Sequence, residues 1–464
     1  MVHIHMIGIG GTGLSAIARV LLESGYTVTG SDRAASPFTR DLSAAGLTIH
    51  IGHLADNVQG ADLVIRSSAI PDDNVEVVRA RQVGIPVLKR ADFIGSLMET
   101  KLGIAIAGTH GKTTTTSMLA WVLTSLGQDP TFISGGTVVN LGVNARSGKG
   151  NAFVIEADEY DRMFLGLKPV IEVVTNVEHD HPDCYPTPVD FQKAFLDFVN
   201  LLPINGSLVA CVEDSGARML YQVAKTKNTN VFAYGIASAT MDGEIQMDSY
   251  CKDLVAHENS GFSFQACISG QSVHLTLRVP GIHNVLNALA VLTVIQIMGL
   301  PLPSAAAALE EFLGAGRRFE ICGKVNGITI IDDYAHHPTE IRATLSAARS
   351  MYPGHRLWAV WQPHTYSRTR TLFNDFLAAF DNADYVLVTE IYAAREKSQD
   401  FSSAQIVNAM THPSARYSGS LENTINTLVS LLQPGDVVLV LSAGNADSVS
   451  KKVLTHLMEK THGK

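Results

Sequence analysis

The chain has 464 residues, of which 46% are apolar and 17% are charged, a composition typical of a globular enzyme of about three domains. Its formal net charge of −9 argues against a nucleic acid or an anionic membrane as the main partner. Five cysteines without a C-x-x-C pair favour a reducing cytosol and exclude a disulfide framework. Because we find no signal peptide and no apolar run that could span a bilayer, we expect a cytoplasmic protein without membrane insertion.

The first motif lies at the N-terminus. A predicted strand from His3 to Ile7 is followed by a G-x-G-x-x-G fingerprint and a helix to about Glu23, and a second strand ends at Asp32. The fingerprint predicts a pyrophosphate at the helix N-terminus, which a dinucleotide or a UDP-sugar could supply. The candidate ligand residues lie in this loop, at the end of the second strand and after a later strand: Gly8, Gly10, Gly11, Thr12, Gly13, Asp32, Ser67, Ser68 and Ala69.

A second phosphate-binding loop follows a predicted boundary near residues 96–102. The apolar run from Leu102 to Ala107 predicts a buried strand, and a helix is predicted from Lys112 to about Leu126. The glycines between them allow successive amides to face a phosphate, while Lys112 supplies charge and the Thr113 hydroxyl can reach Mg²⁺. The motif is a shorter variant of the usual loop. It predicts a nucleotide triphosphate site formed by Gly108, Thr109, His110, Gly111, Lys112, Thr113 and Thr114.

Two later strands of the same region end in polar clusters. A strand over 153–155 precedes Glu156-Ala157-Asp158-Glu159, and a strand over 170–175 precedes Asn176-Val177-Glu178-His179-Asp180-His181. A single acid after a strand would be explained by a solvated turn or a helix cap. Two clusters downstream of one phosphate loop predict ligands of Mg²⁺ or Mn²⁺, because a hard cation prefers oxygen donors. We select Glu156 and His181.

The next segment, residues 205–280, contains short alternating runs that predict antiparallel strands covering one edge of this domain. A long apolar helix then begins near Gly281. Asn284 and Asn287 share a face at its start, although helix capping would explain them without a ligand.

The third region begins after a glycine-rich boundary at residues 314–316. Four runs, 328–331, 357–361, 385–388 and 437–441, predict a parallel sheet. Polar clusters follow the first two strands, at Asp332–Pro338 and Gln362–Arg368. Because ligands of such sheets bind beyond the carboxyl ends of the strands, these clusters predict a ligand face.

In order and spacing, these motifs resemble those of the Mur ligases of bacterial cell-wall synthesis. The resemblance implies an α/β fold of three domains. These are an N-terminal Rossmann-like UDP-sugar domain (1–98), a central P-loop ATPase domain with antiparallel edge strands (99–315) and a C-terminal Rossmann-like αβ domain that binds the amino acid (316–464).

The resemblance also implies the chemistry and partners. We expect an ATP-dependent ligase, active with Mg²⁺ or Mn²⁺, that joins L-alanine to the lactyl carboxylate of UDP-N-acetylmuramate through an acyl phosphate, as a monomer or weak homodimer. Lys112, Glu156 and His181 would act on the reacting phosphate, with Thr113 as a further metal ligand. By the same resemblance, Asn284 or Asn287 contacts adenine, Arg318 and Asp333 hold the ribose and phosphates, His336 and His337 lie beside the reacting phosphate, and Tyr334 and Arg368 lie beside the amino acid.

The chain departs from the family pattern in the third domain. Thr365 stands where the family often has arginine, and Arg395 stands where it often has glycine. A related ligase that uses another amino acid or a recycled peptide is therefore an alternative. An NAD-dependent dehydrogenase built on the first fingerprint would leave the second loop unexplained. A UDP-sugar sensor with a decayed ATP site disagrees with an intact Lys112 and Glu156.

Overall fold

Three sheets, each covered by helices, follow one another along the chain. The structure is a computed structural model that describes residues 2–227, 230–236, 240–241, 245–258, 260–394 and 396–462; Arg395 lies outside the described residues. The sheets have five, ten and six strands, and a separate two-stranded ribbon accompanies the second. Over these ranges no helix combines the length and apolar character that crossing a membrane requires.

The first sheet is parallel, with strand order β3-β2-β1-β4-β5. It places the ends of the central strands β1, β2 and β4 side by side, which brings the first fingerprint next to Asp32 and Ser67. Its elements are β1 (His3–Ile7), α1 (Thr12–Glu23), β2 (Thr27–Asp32), α2 (Pro37–Ala44), β3 (Thr48–Ile51), β4 (Leu63–Arg66), α3 (Val75–Gln82), β5 (Val87–Lys89) and α4 (Arg90–Ile94).

The second sheet contains the second phosphate loop near its middle. Its elements are β6 (Leu102–Ala107), α5 (Lys112–Ser125), β7 (Thr131–Val138), β8 (Val143–Arg146), β9 (Ala152–Glu156), β10 (Ile171–Val174), α6 (Pro188–Val199), β11 (Ser207–Cys211), α7 (Ser215–Lys225), β12 (Asn230–Gly235), the ribbon β13 (Thr240–Met241) and β14 (Ile245–Gln246), β15 (Ser249–Ala256), β16 (Phe262–Ile268), β17 (Gln271–Thr276), α8 (Ile282–Ile297) and α9 (Leu302–Glu310). The order is β17-β16-β15-β12-β11-β10-β6-β9-β7-β8.

The prediction for residues 205–280 is wrong in its first half. β11 and β12 pair in parallel with the sheet and are joined by the amphipathic helix α7, which buries one face of small and apolar residues. Only β15, β16 and β17 form the antiparallel edge that was predicted. The misreading arose because a buried parallel strand and an alternating antiparallel strand look alike over five or six residues.

The third sheet has the order β18-β19-β23-β20-β21-β22. The predicted parallel strands are confirmed, but β18 is an added antiparallel edge strand. The elements are β18 (Glu320–Val325), β19 (Ile328–Asp333), α10 (Pro338–Met351), β20 (Leu357–Trp361), α11 (Tyr366–Thr371), α12 (Phe373–Leu377), β21 (Tyr385–Thr389), α13 (Ser403–Ala409), β22 (Ala415–Gly419), α14 (Leu421–Leu431), β23 (Val437–Leu441) and α15 (Asp447–His462).

One acidic side chain, that of Glu172, is buried in the otherwise apolar interior of the second sheet. Glu172 lies on β10 between Ala105 of β6 and Leu208 of β11, is fully buried, and its two carboxylate oxygens have no hydrogen-bond partner among the described residues. Burial raises the pKa of the Glu172 carboxyl well above its ordinary value. The protein must therefore keep this group protonated or leave a buried charge uncompensated.

Glu172→Leu should stabilise the protein, by about 1–3 kcal/mol at pH 8, which is the usual cost of an unsatisfied buried polar group. Because the pKa is raised on folding, the cost begins above the ordinary pKa of 4.5 and grows with pH. The gain measured by thermal unfolding should therefore shrink as the pH is lowered toward 4, whereas the exposed control Glu459→Leu should show no such trend. A leucine variant less stable than the wild type at pH 8 would contradict this account.

Candidate active site

The second phosphate loop is held open by glycines and by one asparagine. Gly108 and Gly111 have φ angles of 140° and 84°, which side chains rarely tolerate, and a Cβ on Gly108 would lie 1.9 Å from the Thr175 hydroxyl. Asn176 braces the turn, because its side chain accepts from the His110 amide at 2.8 Å and donates to the His110 carbonyl at 3.0 Å. The loop is therefore preformed before α5 begins at Lys112.

Lys112 is paired with a buried acid that the sequence prediction did not select. Its Nζ lies 2.8 Å from the carboxylate of Glu159, whose side chain is only 3% exposed. Burial alone would lower the pKa of Lys112, but Glu159 and Glu156 raise it, so the ammonium is charged. Glu159 belongs to the same acidic cluster as Glu156. Because this cluster contains several carboxylates and the loop contains one lysine, the sequence could have indicated that a second acid of the cluster pairs with Lys112.

Glu156 and Thr113 form an oxygen-donor pair at the mouth of the loop. The Thr113 hydroxyl donates to Glu156 at 3.1 Å, and the Gly135 amide donates to the other carboxylate oxygen. Burial raises the pKa of Glu156 in spite of the nearby Lys112 charge. A hydroxyl and a carboxylate placed together next to a phosphate loop fit the preference of Mg²⁺ for hard oxygen ligands.

His181 lies on the far side of Glu159. Its Nε2 is 3.5 Å from Glu159 and 3.7 Å from Asp180, and these two carboxylates raise its pKa although burial alone would lower it. The structure thus brings the predicted metal residues into one cluster with Lys112. The backbone of His181 also adopts a left-handed conformation, with φ 54°, so the turn as well as the charges fix the position of its side chain.

A cavity of about 250 Å³ lies between the second sheet and α10 of the third domain. Asn284 and Asn287 line it and are linked, since the Asn287 amide donates to Asn284 at 3.0 Å. His283 beside them is neutral, because burial lowers its pKa to about 4. The cavity brings together the following residues that were predicted to bind ATP: His110, Gly111, Thr114, Asn284, Asn287, Arg318 and Asp333.

Arg318 and Asp333 reach this cavity from the third domain. The Arg318 guanidinium lies 3.4 Å from the Thr113 hydroxyl. Asp333 accepts from the amides of Phe319 and Ala335, both at 2.7 Å, and burial raises its pKa to about 6. The loop from the second domain and two side chains of the third therefore share one pocket.

His110 joins the two domains electrostatically. Its Nδ1 is 3.1 Å from Glu340 on α10, and its Nε2 is 2.9 Å from Glu178 of the central domain. Burial alone would lower the pKa of His110, but these two carboxylates raise it to about 9. A second bridge runs from the Thr339 hydroxyl to Glu178 at 2.8 Å. Glu178 and Glu340 were not among the residues predicted from the sequence.

The two histidines before α10 have different surroundings. Burial lowers the pKa of His336 to about 3, and its Nε2 lies 4.0 Å from Asp180. His337 caps α10 through Nδ1, while its buried Nε2 has no hydrogen-bond partner in the part of the chain that the structure describes. Ligand atoms of His110, Glu178 and His337 lie within 4.8 Å of one another, so this group could also hold a divalent ion.

Arg368 is buried and already holds a carboxylate. Its Nε and Nη2 donate to the two oxygens of Asp180 at 2.8 and 3.2 Å, and its Nη1 lies 3.0 Å from Nδ1 of His364. Thr365, which replaces the family's arginine, adopts φ 66° and caps α11. Tyr334 lies nearby with the guanidinium carbons of Arg317 and Arg318 5.1 Å from its ring. The assignment of Tyr334 and Arg368 to an amino acid stays a prediction.

The first fingerprint forms a separate face at the carboxyl ends of β1, β2 and β4. The Gly10 amide donates to Asp32 at 2.8 Å, so this acid fixes the loop. A Cβ on Gly8 would lie 3.1 Å from Cβ of Ser67, which shows how closely the two turns pack. Ser68 and Ala69 are exposed on the same turn.

Three family models match successive parts of the chain. Residues 3–102 match the Mur ligase family catalytic domain, residues 106–295 the Mur ligase middle domain, and residues 317–444 the Mur ligase glutamate ligase domain. The chain belongs to the Mur ligase family. A Mur ligase is an ATP-dependent ligase.

Individual relatives of this Mur ligase carry a narrower name. UDP-N-acetylmuramate–L-alanine ligases of Syntrophus aciditrophicus and Solidesulfovibrio magneticus are 40% and 43% identical to it, over 98% and 99% of its length and 94% and 98% of theirs. The crystal structure of the UDP-N-acetylmuramate-alanine ligase of Thermotoga maritima has a TM-score of 0.82 and 29% identity, covering 99% of this chain and 100% of that one. A murein peptide ligase from Psychrobacter arcticus has a TM-score of 0.73 and 27% identity, with 98% and 99% coverage.

His110→Asn should lower the thermal unfolding midpoint of this Mur ligase at pH 6, because it removes an imidazolium between two carboxylates. Since folding raises the pKa of His110 from 6.5 to about 9, its stabilisation is complete below pH 6.5 and is lost as the pH rises through 9. Unfolding curves at pH 6, 8 and 10 should therefore show the midpoint difference shrinking with pH. Exposed His456→Asn serves as the control, and a difference independent of pH would exclude the charged bridge.

Proposed function

We propose that this Mur ligase joins L-alanine to UDP-N-acetylmuramate in the synthesis of the peptidoglycan precursor. The observation that carries the proposal is the similarity to UDP-N-acetylmuramate–L-alanine ligases over nearly the full length of both chains. We assign the UDP-sugar to residues 1–98, ATP to residues 99–315 and the amino acid to residues 316–464.

The reaction has two steps. The lactyl carboxylate attacks the γ-phosphorus of ATP, ADP leaves, and an acyl phosphate forms. The amine of alanine then attacks the acyl carbon, loses a proton and expels phosphate, leaving the amide. The first step brings a carboxylate toward a polyanion, so the protein's main task is to offset that repulsion.

Lys112 performs part of this task through its charge. In the free protein its counter-ion is Glu159, and a bound triphosphate offers a second anion to the same ammonium. Thr113 and Glu156 would hold one Mg²⁺ and His181 would hold another, and the ions would supply further charge neutralisation at the phosphates. We place His336 and His337 beside the reacting phosphate, on the side of the third domain. Burial lowers the pKa of both rings, which favours their neutral forms.

The remaining predicted contacts divide between the ligands. Asn284 or Asn287 binds the adenine, while Arg318 and Asp333 hold the ribose and phosphates from the third domain; all four residues line the cavity. The glycine-rich turn at Gly8–Gly13, with Asp32 and Ser67–Ala69, binds the UDP-sugar. Tyr334 and Arg368 lie beside the amino acid, and the Nη1 edge of Arg368 is the part not held by Asp180.

A murein peptide ligase is the second candidate. It is supported by the structural similarity to the Psychrobacter arcticus enzyme. Because both candidates share the UDP-sugar and ATP sites, only the amino-acid side of the reaction separates them.

The test is ATP-dependent phosphate release by the full chain with Mg²⁺ and UDP-N-acetylmuramate, with each of the twenty amino acids and with an L-alanine-initiated tripeptide. We expect L-alanine to be the best single amino acid and the tripeptide to be inactive. Lys112→Ala should abolish release with every acceptor, because it removes the charge beside the phosphates. Faster release with the tripeptide would replace the proposal with the second candidate, and release without UDP-N-acetylmuramate would overturn both.

Arg368→Lys should raise the KM for L-alanine about tenfold or more, equivalent to about 1.4 kcal/mol, because lysine keeps the charge but lacks the planar fork. The KM values for ATP and UDP-N-acetylmuramate should change less than about twofold. The matched control is Arg370→Lys, which changes an exposed arginine of the same helix. If the KM for L-alanine is unchanged in Arg368→Lys, Arg368 does not bind the amino acid, and its role is limited to the interdomain contact with Asp180.

A further inference from the structure

Arg90 lies across the start of α1, although it comes from the far end of the first domain. It is the first residue of α4, directly after β5. A Cβ added to Gly13 would lie 1.5 Å from its Nη1 and 2.7 Å from its Cζ. The third glycine of the fingerprint therefore leaves the space that a guanidinium occupies.

The other edge of the same guanidinium contacts the central domain. Nη2 donates to Asp158 at 3.1 Å, and Nε donates to Met163. The Asp158 carboxylate also accepts from the Tyr160 amide at 3.1 Å, so it is anchored in the acid-bearing turn that follows Glu156 at the end of β9. Nη1, the nitrogen over the fingerprint, has no hydrogen-bond acceptor among the described residues.

Positive potential predominates at the start of α1, although the Asp32 carboxylate accepts from the Gly10 amide in the preceding turn. The start of α1 carries the positive end of the helix dipole and has no acidic residue in its first turn. The Gly13 amide is one of the first-turn donors that have no acceptor within the helix. Placing a guanidinium beside these donors concentrates positive potential where an anion would bind. Asp158 contacts Nη2, whereas Nη1 is the guanidinium nitrogen that lies against Gly13.

We propose that Arg90 binds the diphosphate of the UDP-sugar through Nη1 and, through Asp158, ties the occupied sugar domain to the acid-bearing turn of the central domain. This inference rests on the proposed binding of the UDP-sugar at the first fingerprint. Arginine suits both tasks, because its planar fork presents separate donor edges to two anions. The tie would orient the lactyl carboxylate toward the γ-phosphate, and such positioning is a large part of the rate of a bimolecular step.

The binding test compares the affinities for UDP and for uridine, both measured by calorimetry. Where uridine binds too weakly for a direct titration, its affinity is measured by competition with UDP. Arg90→Ala should reduce the advantage of UDP over uridine tenfold or more, and Arg90→Lys should restore part of it. The neighbouring exposed Lys89→Ala should keep the wild-type ratio. A misfolded variant would bind neither UDP nor uridine, so the ratio of the two affinities could not be measured. The affinity for ATP is therefore measured in the same variants as a check on the fold.

The outcomes separate this inference from the proposed function. If the wild type does not bind UDP, the assignment of the fingerprint to a UDP-sugar fails before Arg90 is considered. If the wild type binds UDP and Arg90→Ala keeps the full advantage over uridine, the diphosphate contact is overturned while the proposed function stands.

The tie to the central domain is tested by kinetics. Asp158→Ala should leave the KM for UDP-N-acetylmuramate within about twofold and lower kcat several-fold, because the sugar still binds but is less well oriented. In the double variant that combines Arg90→Ala with Asp158→Ala, kcat should fall no further than in Arg90→Ala alone, because either substitution already removes the Arg90–Asp158 pair. Additive losses, or an unchanged kcat in Asp158→Ala, would overturn the tie and leave the diphosphate contact to the calorimetry.

Discussion

A series of buried and half-buried charges of alternating sign holds the active centre together. Lys112 pairs with Glu159 at 2.8 Å, Glu159 with His181 at 3.5 Å, His181 with Asp180 at 3.7 Å, and Asp180 with Arg368 at 2.8 Å. Burying any one of these charges alone would cost several kcal/mol, so each depends on its neighbour. The series begins in the phosphate loop and ends in the third domain. It therefore fixes the geometry of the loop and the approach of the two domains by the same interactions.

The consequence for ligand binding follows from charge balance. A triphosphate bound at Lys112, as proposed above, would compete with Glu159, and the release of Glu159 would alter the charge next to His181. Mg²⁺ at Thr113 and Glu156 would compensate for the added anions in the same small volume. Ligand binding would thus replace internal ion pairs with ligand ion pairs, which keeps a densely charged site from being left with an uncompensated charge at any stage.

Local sequence patterns predicted the parts of this arrangement that depend on local physics. Both glycine-rich loops required only a strand, a turn and a helix in order, and Asn284 and Asn287 required only helical spacing. The partners of the charges could not be found in this way. His110 and Glu340 are 230 residues apart, and Arg368 and Asp180 are 188 apart, so neither pairing leaves a periodic signal. α7 was missed for a different reason, since the short runs beside it suit either strand pairing.

The central domain contacts each of the two outer domains through the same kind of interaction, an arginine–aspartate pair. In each pair an arginine from an outer domain holds a carboxylate of the central domain, Asp158 for Arg90 and Asp180 for Arg368. In both cases Nη1 is the nitrogen that no carboxylate holds. Nη1 of Arg90 lies against Gly13 of the first fingerprint, and Nη1 of Arg368 lies 3.0 Å from Nδ1 of His364. A guanidinium can bind one anion on each edge, so a substrate can be recognised without breaking the pair. If the proposed assignment of the UDP-sugar and the amino acid to the outer domains holds, these two pairs link the placement of both substrates to carboxylates of the central domain, which contains the phosphate loop.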